Sequence, residues 1–259
     1  MDRLRRYGVK PYNIAVIHGG PGAPGEVAPI ARELSVEYGI LEPFQTEVSI
    51  DGQILELKNI LNNNASFPIT LIGHSWGAWL SYIFAAKYPK LVKKLIIIGS
   101  GCYEAKYLSI MNDKRVNRLT KEENIKAESL FKTLNDINCK DKKEVLEEFG
   151  KLMSKSDSFS PIVIENESLD FYPEVFKKCM DEVNHIRKNG ELINMGYRIK
   201  CPVVAIHGEY DSHPYEGVKE PLSKVIEDFK FILLDKCGHS PWNETFAKGK
   251  FYEILRREI

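Results

Sequence analysis

The chain has no surplus of charge: 36 Lys and Arg face 36 Asp and Glu over 259 residues, a formal net charge of zero at pH 7. Such a balance sets up no global field to gather nucleic acid or anionic lipid, so neither partner is expected. Cysteine is sparse as well. Cys102, Cys139, Cys179, Cys201 and Cys237 are odd in number, dispersed and never spaced as CxxC. That argues against a structural metal site and a disulfide framework, and fits a reducing compartment. No apolar run reaches 18 residues, and the basic start Met1-Asp2-Arg3-Leu4-Arg5-Arg6 leads into no apolar segment. Neither a membrane span nor a signal peptide is expected, which makes a cytoplasmic location the default expectation. Internal repeats and low-complexity tracts are absent too.

What is present is an ordinary globular composition, 43% apolar and 28% charged. A chain of this length buries roughly three quarters of its unfolded surface, so its stability requires no staple. Short apolar runs recur at Ile14–Ile17, Ile69–Ile72, Leu95–Ile98, Val203–Ile206 and Phe231–Leu234, with a weaker one at 40–44. Continuous rather than alternating apolar character predicts strands buried on both faces, as in a parallel sheet. Helical patterns fill the intervals at about 26–38, 51–63, 76–88, 217–227 and 242–257. The alternation predicts a doubly wound α/β fold with a mostly parallel sheet of about six strands.

The rhythm breaks between 103 and 198. No strand pattern occurs there, and 15 of the 31 residues from 121 to 151 are charged, the mark of solvated helix faces. Three to five helices are expected, with a loop around Ser154–Pro161. The expected domains are a core of 1–102 and 199–259 and a helical cap inserted at 103–198.

Chemistry is signalled most sharply by Gly73-His74-Ser75-Trp76-Gly77, which follows an apolar run and opens a helical pattern. A serine on such a tight strand-to-helix turn projects its hydroxyl beside free helix amides. The competing structural reading is a glycine-flanked helix with Ser75 as its N-cap. A serine nucleophile needs a base. Of six histidines, His18 and His74 sit inside glycine turns, His185 lies in the charged insert, and His207 ends a strand. His239 follows the last strand, in the kind of loop from which a base can lean over a neighbouring strand's serine. The acid that would orient it is assigned to Asp211, after the penultimate strand. Glu209, Glu104 and Asp235 are less well placed rivals. His18-Gly19-Gly20-Pro21-Gly22, after the first strand, allows close backbone approach. Its Gly20 amide and that of Trp76 are the expected oxyanion donors. His18, His213 and Trp242 are candidate substrate contacts, His213 alternatively a loop fastener; Trp76 and Trp79 are further apolar wall candidates, although the helical spacing of Trp79 favours core packing.

Taken together, these segments resemble the α/β-hydrolases: an HG-type loop at 18–22, a nucleophile elbow at 73–77, and the chain order Ser75, Asp211, His239. His18–Gly22 followed by Trp76 further resembles the prolyl aminopeptidases (proline iminopeptidases), although His74 stands where those enzymes usually carry glycine. With 17 residues before His18, the family's first antiparallel strand pair is expected to be missing or reduced. The resemblance implies a serine hydrolase without cofactor or metal, acting on a small-molecule or short-peptide ester, thioester or amide through an acyl-enzyme. Other activities of the same fold are a prolyl-aminopeptidase-like cleavage, carbon–carbon bond hydrolysis, a cofactor-free oxidoreductive reaction, or ligand reception by a vestigial triad. An unperturbed His239, with a pKa near 6.5, would make activity rise through about pH 6–7. Oligomeric state is not readable from these features.

Overall fold

The computed structural model describes residues 3–136, 142–162 and 172–259; Cys139 lies outside them. The strands are β1 (Leu4–Tyr7), β2 (Tyr12–Ile17), β3 (Gly39–Pro43), β4 (Ile69–His74), β5 (Val92–Ile98), β6 (Val203–Gly208) and β7 (Phe229–Leu234). They form one sheet in the order β1-β3-β2-β4-β5-β6-β7. Every pairing is parallel except that of β1 with β3. Six of these strands contain the apolar runs, and β3, β4 and β6 are buried throughout.

The seventh strand, β1, adds one to the six expected from sequence. Its residues Leu-Arg-Arg-Tyr carry no apolar run, because an edge strand is held by backbone pairing on one side and needs to bury few side chains: Leu4 is buried, Arg5 and Tyr7 are half-buried and Arg6 is exposed. Arg5 lies over the Phe44 ring at 5.3 Å, so even the charged side chain finds a partner.

Alternation along the strands divides the core into two layers. Ala15, Ile17, Leu71, Leu95 and Ile97 face one layer, with helices α2 (Ile50–Asn64) and α3 (Trp76–Lys87) packed on it. Ile14, Val16, Ile72, Ile96 and Ile98 face the other, covered by α1 (Ala28–Leu34) and α10 (Lys248–Glu258). α3 is buried on nearly every side from Trp76 to Ala86, which explains its lack of a polar face. The start of α2 is set by Ser49, whose hydroxyl accepts from the Gly52 amide at 3.1 Å.

Between β5 and β6 the described residues form α4 (Leu108–Arg118), α5 (Lys121–Asn135), α6 (Lys142–Asp157), α7 (Pro173–Lys188), the one-turn α8 (Glu191–Asn194) and two short 3₁₀ turns. A reciprocal capping box between Thr120 and Glu123 starts α5. α6 extends to Asp157, beyond the loop expected from 154; Ser156 Oγ bonds back to Met153 O at 2.8 Å, accommodating its hydroxyl within the helix. Beyond β6, α9 spans Glu216–Val225.

The final helix also departs from the sequence pattern. A 3₁₀ turn occupies Pro241–Asn243, and α10 begins at Lys248. The reason is Glu244, whose buried carboxylate accepts from the amides of Gly238 (2.9 Å), Phe159 (2.8 Å) and Ser160 (2.7 Å). Satisfying three amides at once holds residues 238–245 as a loop and ties it to the end of α6. The sheet order reverses at β2, which runs between β3 and β4. Ligands of open α/β sheets bind at this switch point, beyond the strands' carboxyl ends.

Candidate active site

Ser75 connects β4 to α3 with φ 53° and ψ −114°, a conformation that costs a non-glycine residue about 1–3 kcal/mol. The surroundings hold it there. The Ser75 amide donates to Ile98 O at 3.0 Å. Gly73 and Gly77 permit the close packing: a Cβ at 73 would overlap the Gly77 carbonyl, and one at 77 the Ile17 carbonyl. Ser75 makes no side-chain cap, unlike Ser49 in front of α2. Its position as first residue before the helix leaves the Trp76 amide among the orphan donors of the first turn.

Ser75, Trp76 and Gly20 all line a cavity of about 540 Å³ that also includes His239 and His213. Gly20 has φ 112°, available only to a residue without a side chain. The loop carrying it is braced by Glu26, whose Oε2 accepts from the Gly19 amide at 2.7 Å. Glu26 Oε1 lies 2.9 Å from His74 Nδ1, while His74 Nε2 is 3.2 Å from His239 O. His74 therefore links the loop after β2 to the loop bearing His239. Burial would raise the Glu26 carboxyl, but the His74 imidazole and the Gly19 amide outweigh it and bring it to about 2. Nothing in the sequence around Glu26 marked it: a lone carboxylate after Pro-Gly reads as an exposed loop residue.

Asp211 lies wholly buried after β6 and is the hub of the histidines. Its Oδ2 is 2.7 Å from His239 Nδ1; its Oδ1 accepts from both Nδ1 and the backbone amide of His213, each at 2.9 Å. His207 Nε2 stands 3.4 Å from Oδ2 and 2.9 Å from His213 O. Burial opposes the Asp211 charge, yet the three imidazoles, His239 foremost, hold it well below the usual carboxylate range. His207 and His213 are pushed down by desolvation and stay neutral. His239 moves the other way. Desolvation opposes its charge, but Asp211, then Asp157 and Glu26, push it up to about 9. The expectation of an unperturbed imidazole near 6.5 is corrected by these three carboxylates.

Among the described residues, the ligand atoms of Asp211, His213 and His239 lie within 4.8 Å of one another, a spacing that could suit a cation. Both Nδ1 atoms are directed at the carboxylate, so the arrangement is complete as a hydrogen-bonded cluster.

Two of the residues expected to touch substrate do not line the cavity. His18 is fully buried behind its loop, with Nδ1 2.8 Å from Gly19 O and Nε2 accepting from the Gln45 amide at 3.3 Å. Trp242 packs edge-on against His74 at 4.6 Å and against Phe251. His213 does line it, stacked on His239 at 4.7 Å. Trp79 reaches the cavity from within the core, with its Nε1 donating to Gly101 O at 3.1 Å. Glu209 and Asp235 are not among the lining residues, nor is Glu104.

Comparison with known proteins bears on the fold. Residues 49–126, which include β4, Ser75 and α3, match the family model described as alpha/beta hydrolase fold. VinJ, a solved structure, superposes with a TM-score of 0.69 over 98% of this chain and 93% of its own, at 17% identity. The chain has the α/β-hydrolase fold. Its curated relatives include a proline iminopeptidase of Saccharolobus solfataricus, 23% identical over 95% of this chain and 84% of that protein. Lipase 1 of Psychrobacter immobilis is 24% identical, over 90% and 72%. The turn bearing Ser75 and the loop bearing His239 both lie at the carboxyl ends of the strands. No helix among the described residues is long and apolar enough to cross a membrane.

Proposed function

We propose that this α/β hydrolase is a serine hydrolase that cleaves a small ester, thioester or amide through an acyl-enzyme on Ser75. The observation that carries the reading is the shared cavity: a serine in a strained turn at a helix start, and an imidazole whose far nitrogen is fixed by a buried carboxylate. Ser75 Oγ attacks the substrate carbonyl while neutral His239 accepts its proton at Nε2. Asp211 holds Nδ1–H and stabilises the imidazolium that forms. The amides of Gly20 and Trp76 receive the oxyanion, each donor worth about 3–4 kcal/mol in the transition state. His239 then gives the proton to the leaving group, and water reverses the steps to free the acid. The helices between β5 and β6 serve as a cap: α4, α6 and α7 supply the cavity wall facing Ser75.

A fluorophosphonate probe tests this directly. Labelling of the wild type that is absent in Ser75→Ala, with hydrolysis of p-nitrophenyl esters reduced on the order of 10⁴–10⁶-fold in that variant, supports the assignment. A Ser75→Ala protein retaining more than a tenth of the activity overturns it. Absence of labelling and turnover in the wild type would favour a ligand-binding role instead. The proline iminopeptidase relatives make aminopeptidase activity the second reading. Preference for proline-β-naphthylamide over p-nitrophenyl esters would select it.

A further inference from the structure

The cap side of the cavity holds two guanidinium groups in different electrostatic situations. Arg115, on α4, is paired in bidentate fashion with Asp157, at 3.0 Å from Nε to Oδ1 and 2.7 Å from Nη2 to Oδ2. Arg187, in the last turn of α7, is 94% buried and has no such partner (its exposure is 6%). Its Nη2 donates to Asn184 Oδ1 and its Nη1 makes a long contact of 3.5 Å with Cys102 O. Its Nε has no hydrogen-bond partner. The group stacks 5.3 Å from the ring centroid of Trp79, itself a cavity residue. No carboxylate among the described residues pairs with it. Cys102, a neutral thiol pushed up to about 12 by burial, supplies no counter-charge.

Arginine keeps its proton under all ordinary conditions, so burial cannot neutralise it as it would a lysine. A buried cation without a counter-ion is costly, since buried charges are normally paired, and an anion carried by a ligand would supply the missing pairing. The remaining ionic groups of the cavity do not supply one. Asp157 is spent on Arg115, Asp211 on the histidines, and Glu147 is exposed on α6. The balance is the reverse of what a protonated amino terminus would seek.

We propose that Arg187 binds a carboxylate carried by the substrate, so that the preferred substrates are esters or amides of an acid bearing a second, distal carboxylate. The inference rests on Ser75 as nucleophile for its kinetic consequence. Its binding consequence stands independently. A planar guanidinium with free N–H donors recognises a carboxylate through charge-assisted hydrogen bonds, each worth more than a neutral one.

A matched pair of substrates reads this out: p-nitrophenyl valerate and the mono-p-nitrophenyl ester of glutaric acid, which differ by a terminal methyl against a terminal carboxylate. The wild type is expected to favour the glutarate ester in kcat/KM by about 10- to 100-fold. In Arg187→Gln that ratio collapses to about 2 or below, and Arg187→Lys, which keeps the charge without the fork, lies between. Equal use of the two esters by the wild type, or a preference surviving in Arg187→Gln, overturns the inference while leaving Ser75 in place. Binding is tested without turnover in Ser75→Ala. Monomethyl glutarate at about 10 mM is expected to raise the Tm of that variant by about 2 °C or more. The double variant Ser75→Ala/Arg187→Gln should show no shift. No shift in Ser75→Ala itself refutes the carboxylate site whatever the fate of the hydrolase reading.

Discussion

Asp211 divides its carboxylate between two imidazoles: Oδ2 faces His239 Nδ1 at 2.7 Å, and Oδ1 takes both the Nδ1 and the amide of His213 at 2.9 Å. On the proposed mechanism His213 is a positioning residue that fixes the plane of the carboxylate, leaving the other oxygen for His239. Asp211→Asn would put an amide where the imidazole needs an acceptor, permitting the wrong tautomer. Its kcat is expected to fall on the order of 10³–10⁴-fold. His213→Ala keeps the backbone donor to Oδ1 and should cost about tenfold or less. Steady-state kinetics on one p-nitrophenyl ester compares them; losses of equal size would mean that Asp211 acts through His213 rather than His239.

The pH profile follows from the carboxylates around His239. In the proposed mechanism only the neutral imidazole can take the Ser75 proton, and Asp211, Asp157 and Glu26 favour the charged form up to about pH 9. The acid limb of kcat/KM should therefore lie above pH 7 and approach 9, rather than at 6–7. Glu26→Gln removes a negative charge, so it should move the limb to lower pH. The neutral His213 and His207 lie on the same carboxylate and contribute no charge there. A limb at or below pH 6.5 in the wild type, or one displaced upward in Glu26→Gln, would contradict this electrostatic account.

Gly77 offers a test of the elbow that bypasses chemistry. Its α-carbon packs against the end of β2, and a methyl group there would meet the Ile17 and His18 carbonyl oxygens. Backbone cannot yield as a flexible side chain can. Gly77→Ala is expected to cost about 3 kcal/mol or more, read as a lowered urea midpoint. Gly150→Ala, where an added methyl meets nothing within 4 Å, is the matched control and should be neutral or slightly stabilising. Equal effects at 77 and 150 would show that the turn tolerates expansion.

These positions also show what the sequence could and could not disclose. Strands buried on both faces write themselves as apolar runs, which made β2, β4, β5 and β6 readable from the pattern alone; β7 carries such a run too, although as the edge strand it buries only Leu234 fully. Gly73 and Gly77 were readable because close backbone approach admits no other residue. Glu26, Glu244 and Arg187 were not, since each acts through partners distant in the chain: Glu26 on His74, Glu244 on residues 159–160, Arg187 beside Trp79 and Cys102. An isolated charged residue has the same local signature whether it faces water or a cavity. β1 was missed for the complementary reason. An edge strand with two arginines is specified by pairing to Ile40–Pro43, not by its own pattern.

That edge carries the last prediction. Glu42 is fully buried on β3; Oε2 accepts from Tyr7 Oη at 2.7 Å, and Oε1 has no hydrogen-bond partner. Burial pushes its carboxyl up to about 7, against the opposing pull of Tyr7 and of Arg5, which stands 3.8 Å away. In the unfolded chain the group ionises near 4.5. Between those values the folded state holds a proton that the unfolded state has released, so stability declines as pH rises through the window and levels off above about 7. Glu42→Gln does not titrate. Its advantage over the wild type should grow by up to about 3 kcal/mol between pH 4.5 and 8, the full amount requiring the whole shift to appear in folding. Urea denaturation of both proteins at pH 5 and pH 8 measures the difference. An unchanged gap between them at the two pH values would mean that Glu42 is ionised in the folded sheet, with Arg5 as its effective partner.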